Sequence, residues 1–436
     1  MDHDFNTSSL NIPPISYPNF VTSPITSPWM DARIWSRIPP RLLDRILTFL
    51  PPTAFFRARS VCKRFYALLF SPPFLDLYLQ IPHQLHTWFI FFMQNVHITN
   101  MATNNTTHKP TFEAYLLNPN EASWHRVHFP LIPPGYSPSA SSGGLICWVS
   151  NEPGSKSLLL SNPIIGSISP LPPTLAPRLF PSVGLAVTNS SVDVTVAGDD
   201  MVSPYAVKNL SSESFHLDNG GFYSVWGTTC CLPRLCSLES GQMVHARGKF
   251  YCMNYSPFSV LEYDVAANNW SKIQAPMRRF LRSPTLTESR GRLLLVAAVE
   301  KSKLNVPKSL RLWALQECGG AWAEVERMPH QLYLQFEEVE GCRGFTCIGH
   351  GDFVFIMIKQ QENRSSSHGH GNINDNKLGL LFDFYRKNWT WIGPCPYIIN
   401  DDGGDRQELV GFAYEPRLAT PTSGLVDHLA AQLSSV

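Results

Sequence analysis

These 436 residues lack the signatures of several common function classes. The ten cysteines form no C-x-x-C pair and no zinc-finger spacing with histidine, which argues against a zinc ribbon or a dithiol redox centre. Cys230 and Cys231 are adjacent, Cys342 and Cys347 are five apart, and most of the others sit in apolar runs, as reduced core thiols do. No apolar run approaches the ~20 residues that cross a bilayer. The longest candidate, Trp88 to Met93, is strand-sized. No charged segment followed by an apolar one opens the chain, so the expectation is an intracellular, soluble protein. An excess of charge is missing too: 35 Lys and Arg against 34 Asp and Glu leave a net charge of +1, too little for a global field that would select nucleic acid or membrane.

Catalytic patterns are equally scarce. There is no H-E-x-x-H, no G-x-S-x-G and no dinucleotide fingerprint. Gly241 to Lys249 departs from a phosphate loop, because six residues separate its glycines and Phe250 stands where a magnesium-holding hydroxyl belongs. Asp199-Asp200, between Val194-Thr195-Val196 and Met201-Val202, reads as a hairpin turn. His368 and His370 lie in a polar insertion without a rigid third ligand. The expectation is a chain with no catalytic, metal or cofactor site of its own.

What is present begins at Ile34 to Tyr66. Leu42, Leu43, Ile46, Leu47, Phe49 and Leu50 recur at helical spacing after Ile38-Pro39-Pro40, and Pro51-Pro52 ends that run. A second run spans Ala54 to Arg59, and a third carries Val61, Cys62, Phe65, Leu68 and Leu69. Fewer than forty residues in short helices cannot bury a core of their own, so part of this broad apolar stripe needs a partner chain. The stretch is basic, with eight Arg and Lys against Asp31 and Asp44 between Asp31 and Arg64. It resembles an F-box through Ile38-Pro39, Leu42-Leu43, Ile46-Leu47, Leu50-Pro51 and Val61-Cys62-Lys63-Arg64-Phe65. The resemblance implies a helical hook that docks into a Skp-family adaptor, and through it meets cullin and a RING protein. Its implied contacts are Ile38, Pro39, Leu42, Ile46, Leu47, Leu50, Val61, Cys62 and Phe65.

After Tyr78 helical spacing gives way to short runs of Val, Ile, Leu, Phe and Tyr between Gly, Pro, Asn and Ser turns, the pattern of an all-β domain. A diffuse repeat runs through it. One copy reads Arg247-Gly248-Lys249-Phe250-Tyr251, then Ser259 to Asp264, then Asn269-Trp270, closing at Pro276-Met277. Further copies start at Arg290-Gly291 and at Gly351-Asp352, with Trp322 and Trp389 in the place of Trp270. The first step is 43 residues and the second 60, against ~45 for a propeller blade. This resembles a kelch-type β-propeller. Six blades are expected, with five and seven as alternatives, the tryptophans wedged between blades and Gly411 to Glu415 closing the ring against Phe89 to Phe92. The fold class is thus mainly β with an N-terminal α hook: a disordered arm at 1–30, the F-box at 31–80, the propeller at 81–418 and a helical tail at 419–436, whose Ser423 to Leu433 face packs on the body. The polar insertions at 360–377 and 400–405 are expected to be mobile.

One feature of charge stands out. Arg278, Arg279, Arg282, Arg290, Arg292, Lys301, Lys303, Lys308 and Arg311 face only Glu288 and Glu300 within 34 residues. The Lys301 to Ser309 part interrupts the strand pattern and reads as a loop between two strands of one blade. Such a loop neutralises phosphates, meets an acidic protein, or is simply solvated; composition leaves all three open.

Nearly the whole chain is similar to the plant F-box proteins of floral development. The likeness is carried by Arg178-Leu179-Phe180-Pro181-Ser182, Asp193 to Asp200, Ser203 to Phe215, Leu232 to Gly241, Gly248 to Leu261, Gln274 to Ser283 and Val296 to Trp313. It implies an SCF ubiquitin-ligase substrate receptor without catalysis of its own. It also implies a transcriptional cofactor of the floral factor LEAFY, held by the propeller, that controls floral meristem and organ identity. The expected compartment is the nucleus, with the cytoplasm beside it. In that setting Arg278, Arg279, Arg282, Lys301, Lys303, Lys308 and Arg311 are expected to contact DNA; the alternative is a purely proteolytic adaptor without DNA contact.

Overall fold

The computed structural model describes residues 37–80, 87–95, 113–128, 132–188, 191–199, 210–218, 225–234, 236–238, 241–255, 258–300, 308–317, 320–359, 377–398 and 407–418. The arm, the 360–376 and 401–406 insertions, the histidines of the first of these, Asp200 and the tail helix expected at Ser423 to Leu433 lie outside those residues. The chain divides into two units, Met1–Leu47 and Thr48–Val436.

The first unit carries most of α1 (Pro40–Thr48), which starts on a proline as the pattern predicts. The Leu42 and Leu43 amides bond the Pro39 carbonyl at 2.9 and 3.1 Å. The second unit begins with α2 (Pro52–Arg59), α3 (Lys63–Ala67) and, after a 3-10 turn at Leu68–Phe70, α4 (Pro72–Gln80). Extended Pro51 and Cys62 stand before α2 and α3, and the Ser60 hydroxyl closes α2 on the Arg57 carbonyl at 2.6 Å. These helices share a small core in which Phe55 and Phe74 stack at 5.6 Å. Tyr78, also buried, hydrogen-bonds with the Leu418 backbone and so ties α4 to the end of the ring.

Six sheets follow. The first blade has β1 (Trp88–Asn95), β2 (Glu113–Asn118) and β3 (Ser123–His128). The second holds β4 (Tyr136–Ser142), β5 (Leu145–Ser150), β7 (Leu158–Asn162) and β8 (Ser167–Pro170), with the short β6 (Gly154–Ser155) outside that sheet in the connection from β5 to β7. After β9 (Pro177–Arg178), the third comprises β10 (Ser182–Val187), β11 (Ser191–Asp199), β12 (Leu210–Asp218), β13 (Trp226–Thr228) and a parallel addition, β14 (Gly241–Gln242). The fourth is β15 (Val244–Ala246), β16 (Lys249–Tyr255), β17 (Phe258–Asp264) and β18 (Asn269–Gln274). The fifth is β19 (Leu281–Ser289), β20 (Arg292–Val299), β21 (Ser309–Leu315) and β22 (Trp322–Arg327). The helix α5 (His330–Glu340) leads to the sixth, β23 (Phe345–His350), β24 (Phe353–Ile358), β25 (Gly379–Asp383) and β26 (Asn388–Ile392). This helix explains the 60-residue repeat that sequence spacing left stretched.

The last strand, β27 (Gln407–Tyr414), returns to the first blade and pairs antiparallel with β1, Phe89 opposite Ala413 and Phe92 opposite Val410. Ring closure therefore occurs where the pattern places it, and it satisfies an edge that would otherwise be open. The innermost strands β27, β4, β10, β15, β19 and β23 neighbour one another in a closed circle. The repeat glycines serve the turns: Arg247-Gly248 and Arg290-Gly291 both have positive φ at the two central residues, as tight hairpins with a right-handed twist require. The tryptophans bind backwards across blade borders. Trp270 donates to Ser212 Oγ at 2.9 Å, Trp322 to the Gln274 carbonyl at 2.9 Å and Trp226 to the Pro172 carbonyl at 2.7 Å.

Because successive strands run antiparallel, the ring has two distinct faces. Trp88, the turns at 247–248, 290–291 and 351–352, and residues 415–418 lie on the face where the chain enters. The loops at 151–157, 171–181 and 275–280, Glu300 after β20, Lys308 before β21, and α5 lie on the far face.

Candidate functional site

The F-box helices leave large apolar side chains in water. On α1, Leu42 is 50% exposed and Ile46 is exposed as well, while Leu47 is buried. Leu47 thus fills the interior rather than presenting itself to a partner. Ile38 and Leu50 are half-buried and Pro39 is exposed. In the second unit Val61 is 72% exposed, Cys62 is exposed and Phe65 is half-buried. Phe49, Tyr66 and Phe70 are exposed too and were not among the implied contacts, although Phe49 belongs to the apolar run of the first helix. Tyr66 and Phe70 lie one helical turn apart, rings 5.6 Å from each other, so their spacing was the available signal.

Of the seven cations expected at DNA, the five described ones stand in different environments. Arg278 and Arg279 are exposed on the far-face turn between the fourth and fifth blades. Lys301 and Lys303 lie outside the described residues; their loop joins β20 to β21 of one blade, as expected. Lys308 Nζ donates to Glu337 of α5 at 2.8 Å, a bond that raises the pKa of the ammonium. Arg282 Nη1 donates to Glu340, buried on the same helix, at 2.6 Å. Arg311 departs from the expected exposed rim. It is 6% exposed inside β21, bonded to Ser309 Oγ at 2.8 Å and to Glu324 at 3.2 Å, because Ser309 to Leu315 is buried almost throughout and the Arg must find its acceptors within the blade. The remaining members of the basic run, Arg290 and Arg292, sit by the entry-face turn, where Arg290 pairs with Asp352.

The innermost strands enclose a channel of about 740 Å³ lined by serines and by the titratable His245, Arg247, Glu288, His350, Glu408 and Glu415. Burial raises the Glu288 pKa and lowers those of His245 and His350. The channel carries three carboxylates against one guanidinium. Among the described residues no group of three or more His, Cys, Asp or Glu side chains is arranged to hold a metal ion. Likewise, no helix among them is long and apolar enough to cross a membrane.

The F-box domain family matches residues 35–77, over α1 to α4, and the KIB1-4 beta-propeller family matches residues 116–337, from within the first blade to α5. The chain is similar to Protein UNUSUAL FLORAL ORGANS of Arabidopsis thaliana, with 56% identity over 94% of this chain and 91% of that one. It is 42% identical to Protein ABERRANT PANICLE ORGANIZATION 1 of Oryza sativa subsp. indica, over 96% of both chains. SKP1-interacting partner 15 of Arabidopsis thaliana is 32% identical over 87% of this chain and 97% of its own. With the helices and the closed six-bladed ring in hand, these similarities place the chain in the family of F-box β-propeller proteins to which UNUSUAL FLORAL ORGANS and ABERRANT PANICLE ORGANIZATION 1 belong.

Proposed function

We propose that this protein is the substrate-receptor subunit of an SCF-type ubiquitin ligase and a nuclear cofactor of LEAFY. Its F-box docks on a Skp-family adaptor, which brings cullin and the RING protein, and its propeller holds the transcription factor. Ubiquitin transfer belongs to the recruited machinery. The observation that carries the adaptor reading is the exposure of Leu42, Ile46, Phe49, Val61, Tyr66 and Phe70 on the short helices and the turns between them. Burial of such side chains stabilises a complex by roughly 25 cal/mol per Å² of apolar surface. The name of the relative SKP1-interacting partner 15 agrees with it.

The DNA reading rests on Arg278 and Arg279, at the far face opposite the side on which the chain enters the ring, and on Lys301 and Lys303 of the segment between β20 and β21. A partner held on the far face brings its DNA towards these cations without obstructing α4. One observation favours the proteolytic alternative: Arg282, Lys308 and Arg311 already have carboxylate partners.

A mobility shift on DNA carrying a LEAFY site separates the two. The adaptor-bound protein with LEAFY is compared with the variant Arg278→Glu, Arg279→Glu, Lys301→Glu, Lys303→Glu, Lys308→Glu across a salt series. Each phosphate contact removed flattens the log–log slope by about 0.9. A ternary complex that is lost or loses slope supports the cofactor; unchanged shift and slope leave the proteolytic adaptor.

A further inference from the structure

The far face of the second and third blades is built at a cost that neither adaptor nor DNA binding explains. Two loops there, 151–157 and 171–181, are welded to each other and to the third blade. β6 pairs with β9, Gly154 opposite Arg178. The Lys156 amide donates to Thr174 Oγ1 at 2.7 Å, and the Thr174 amide returns a bond to the Lys156 carbonyl at 3.0 Å. The fully buried Lys156 ammonium donates to the Ser150 and Glu152 carbonyls at 3.0 and 2.5 Å. Arg178, also fully buried, donates to the Gly198 and Ser211 carbonyls and to Glu213 Oε1, each at 2.9 Å. Glu213 in turn accepts the Leu175 and Ala176 amides at 2.7 and 2.9 Å.

Burying two cations to fix the course of surface loops is expensive unless the fixed course matters, since desolvation opposes each charge. What the fixed course presents is apolar. Leu175, Leu179 and Phe180 are exposed, Phe180 at 67%, and Leu179 and Phe180 stand at the mouth of the central channel. Rigid bulky side chains lose little entropy on binding, which is what interface anchors require. The surrounding charge selects the partner. Both basic side chains of the two loops point inward, whereas Glu152 is exposed beside them, Asp199 ends β11 on the same face and Glu408 is exposed at the same channel.

We propose that Leu175, Leu179 and Phe180 form a docking shelf for a peptide segment of a protein partner in which bulky apolar side chains stand next to lysine or arginine. This rests on the reading that the propeller holds a protein partner, and it adds where and by what chemistry. The shelf is separate from Arg278 and Arg279, so protein docking and phosphate contact occupy different parts of the far face.

The test is selection of a phage-displayed random 12-residue peptide library on the full-length, adaptor-bound protein. Selected peptides are then titrated against the wild type and the triple variant Leu175→Ser, Leu179→Ser, Phe180→Ser. The expected peptides pair aromatic or aliphatic residues with Lys or Arg and bind the triple variant at least tenfold more weakly. Glu152→Lys with Glu408→Lys weakens the same peptides in a salt-dependent manner while the apolar anchors stay in place. Phe180→Ser alone, the most exposed of the three positions, gives the same comparison should the triple variant melt early. Equal binding to wild type and variant, enrichment of acidic peptides, or no enrichment overturns the proposal. A concentration-dependent dimer abolished by the same substitutions assigns the shelf to a second copy and overturns it as well. No DNA or LEAFY enters this assay, so its failure and that of the mobility shift are read separately.

Discussion

The F-box helices and the propeller handle apolar surface in opposite ways. Among the described side chains from Pro40 to Phe70, six large apolar ones stand in water and only a few are buried, Leu47, Phe55 and Leu68 among them. In the ring, strands such as β20 and β24 are buried almost end to end, and charges are drawn inside to finish the packing: Arg178 with Glu213, Arg311 with Glu324, Lys156 on carbonyls. The difference teaches where each part holds its free energy. The ring's is internal and vulnerable to single buried changes, whereas much of the F-box's is realised only on contact with a partner.

The sharpest way to break that comparison is to strike the ring's buried charge. Glu213 is the sole carboxylate on Arg178 among the described contacts and also fixes the Leu175 and Ala176 amides. Glu213→Ala leaves the guanidinium buried without its counter-charge and should cost about 3–5 kcal/mol. Urea unfolding measures it, and Arg178→Met together with Glu213→Leu should recover most of the loss, because a buried pair contributes little over apolar residues of the same volume. A single-variant loss below about 1 kcal/mol would show that water reaches the pair.

The pair also marks the limit of what the sequence discloses. Arg178 and Glu213 are 35 residues apart, and no periodicity links them. Ring closure was legible, because Phe89 to Phe92 and Gly411 to Glu415 are strand-length apolar segments at the two ends of a repeat and a propeller has one way to close. The blade count was legible only as six with five and seven open, because steps of 43 and 60 residues bracket the ~45 of a blade. The helix α5 was not: Met328-Pro329 reads as the end of a repeat, and Tyr333, Phe336 and Val339 are too few to declare a helical stripe. Its signals were Pro329 at the start and Gly341 past the end, the latter in the left-handed conformation at φ 56°. Charge counting likewise merged Arg311 with Arg278 and Arg279. Only strand register reveals that β21 turns Arg311 inward beside β22, where Glu324 waits. The shelf residues Leu175, Leu179 and Phe180 carried no pattern at all, since their exposure is imposed by bonds from distant strands.

The F-box gives the opposite test. Leu42→Asp with Ile46→Asp changes two exposed positions, so the melting temperature should hardly move, while affinity for a Skp-type adaptor should fall at least 100-fold, about 2.7 kcal/mol. Titration calorimetry with the adaptor and a thermal scan of the free chain read the two effects. Leu47→Ala should reverse the pattern and lower stability by about 2–5 kcal/mol, as buried leucines do. If Leu42→Asp with Ile46→Asp melts as early as Leu47→Ala, the F-box surface is internal packing and the contrast between the two regions collapses.

The smallest expected effect is protonic, and it arises from two histidines of the ring. His216 Nδ1 meets Asp193 Oδ1 at 2.5 Å, a hydrogen bond that raises its pKa, helped by the charge of Asp218. In the folded state it therefore holds its proton above pH 6.5; its contribution is full below that value and is lost as pH rises through the raised folded value. His350 has the opposite sign. Burial lowers its pKa, so stability it supports as the neutral ring is present above pH 6.5 and is lost as pH falls through the depressed folded value. Melting curves from pH 5 to 8 for His216→Asn and His350→Asn should thus depart from the wild type in pH dependence with opposite sign. His216→Asn loses relative stability on the acid side; His350→Asn removes part of the acid sensitivity. A change of the same sign in both variants would mean that one of the two rings has an unrecognised charge partner. His216 is half exposed, so its effect should shrink in 1 M salt, whereas that of His350, shielded from ions within the ring, should persist.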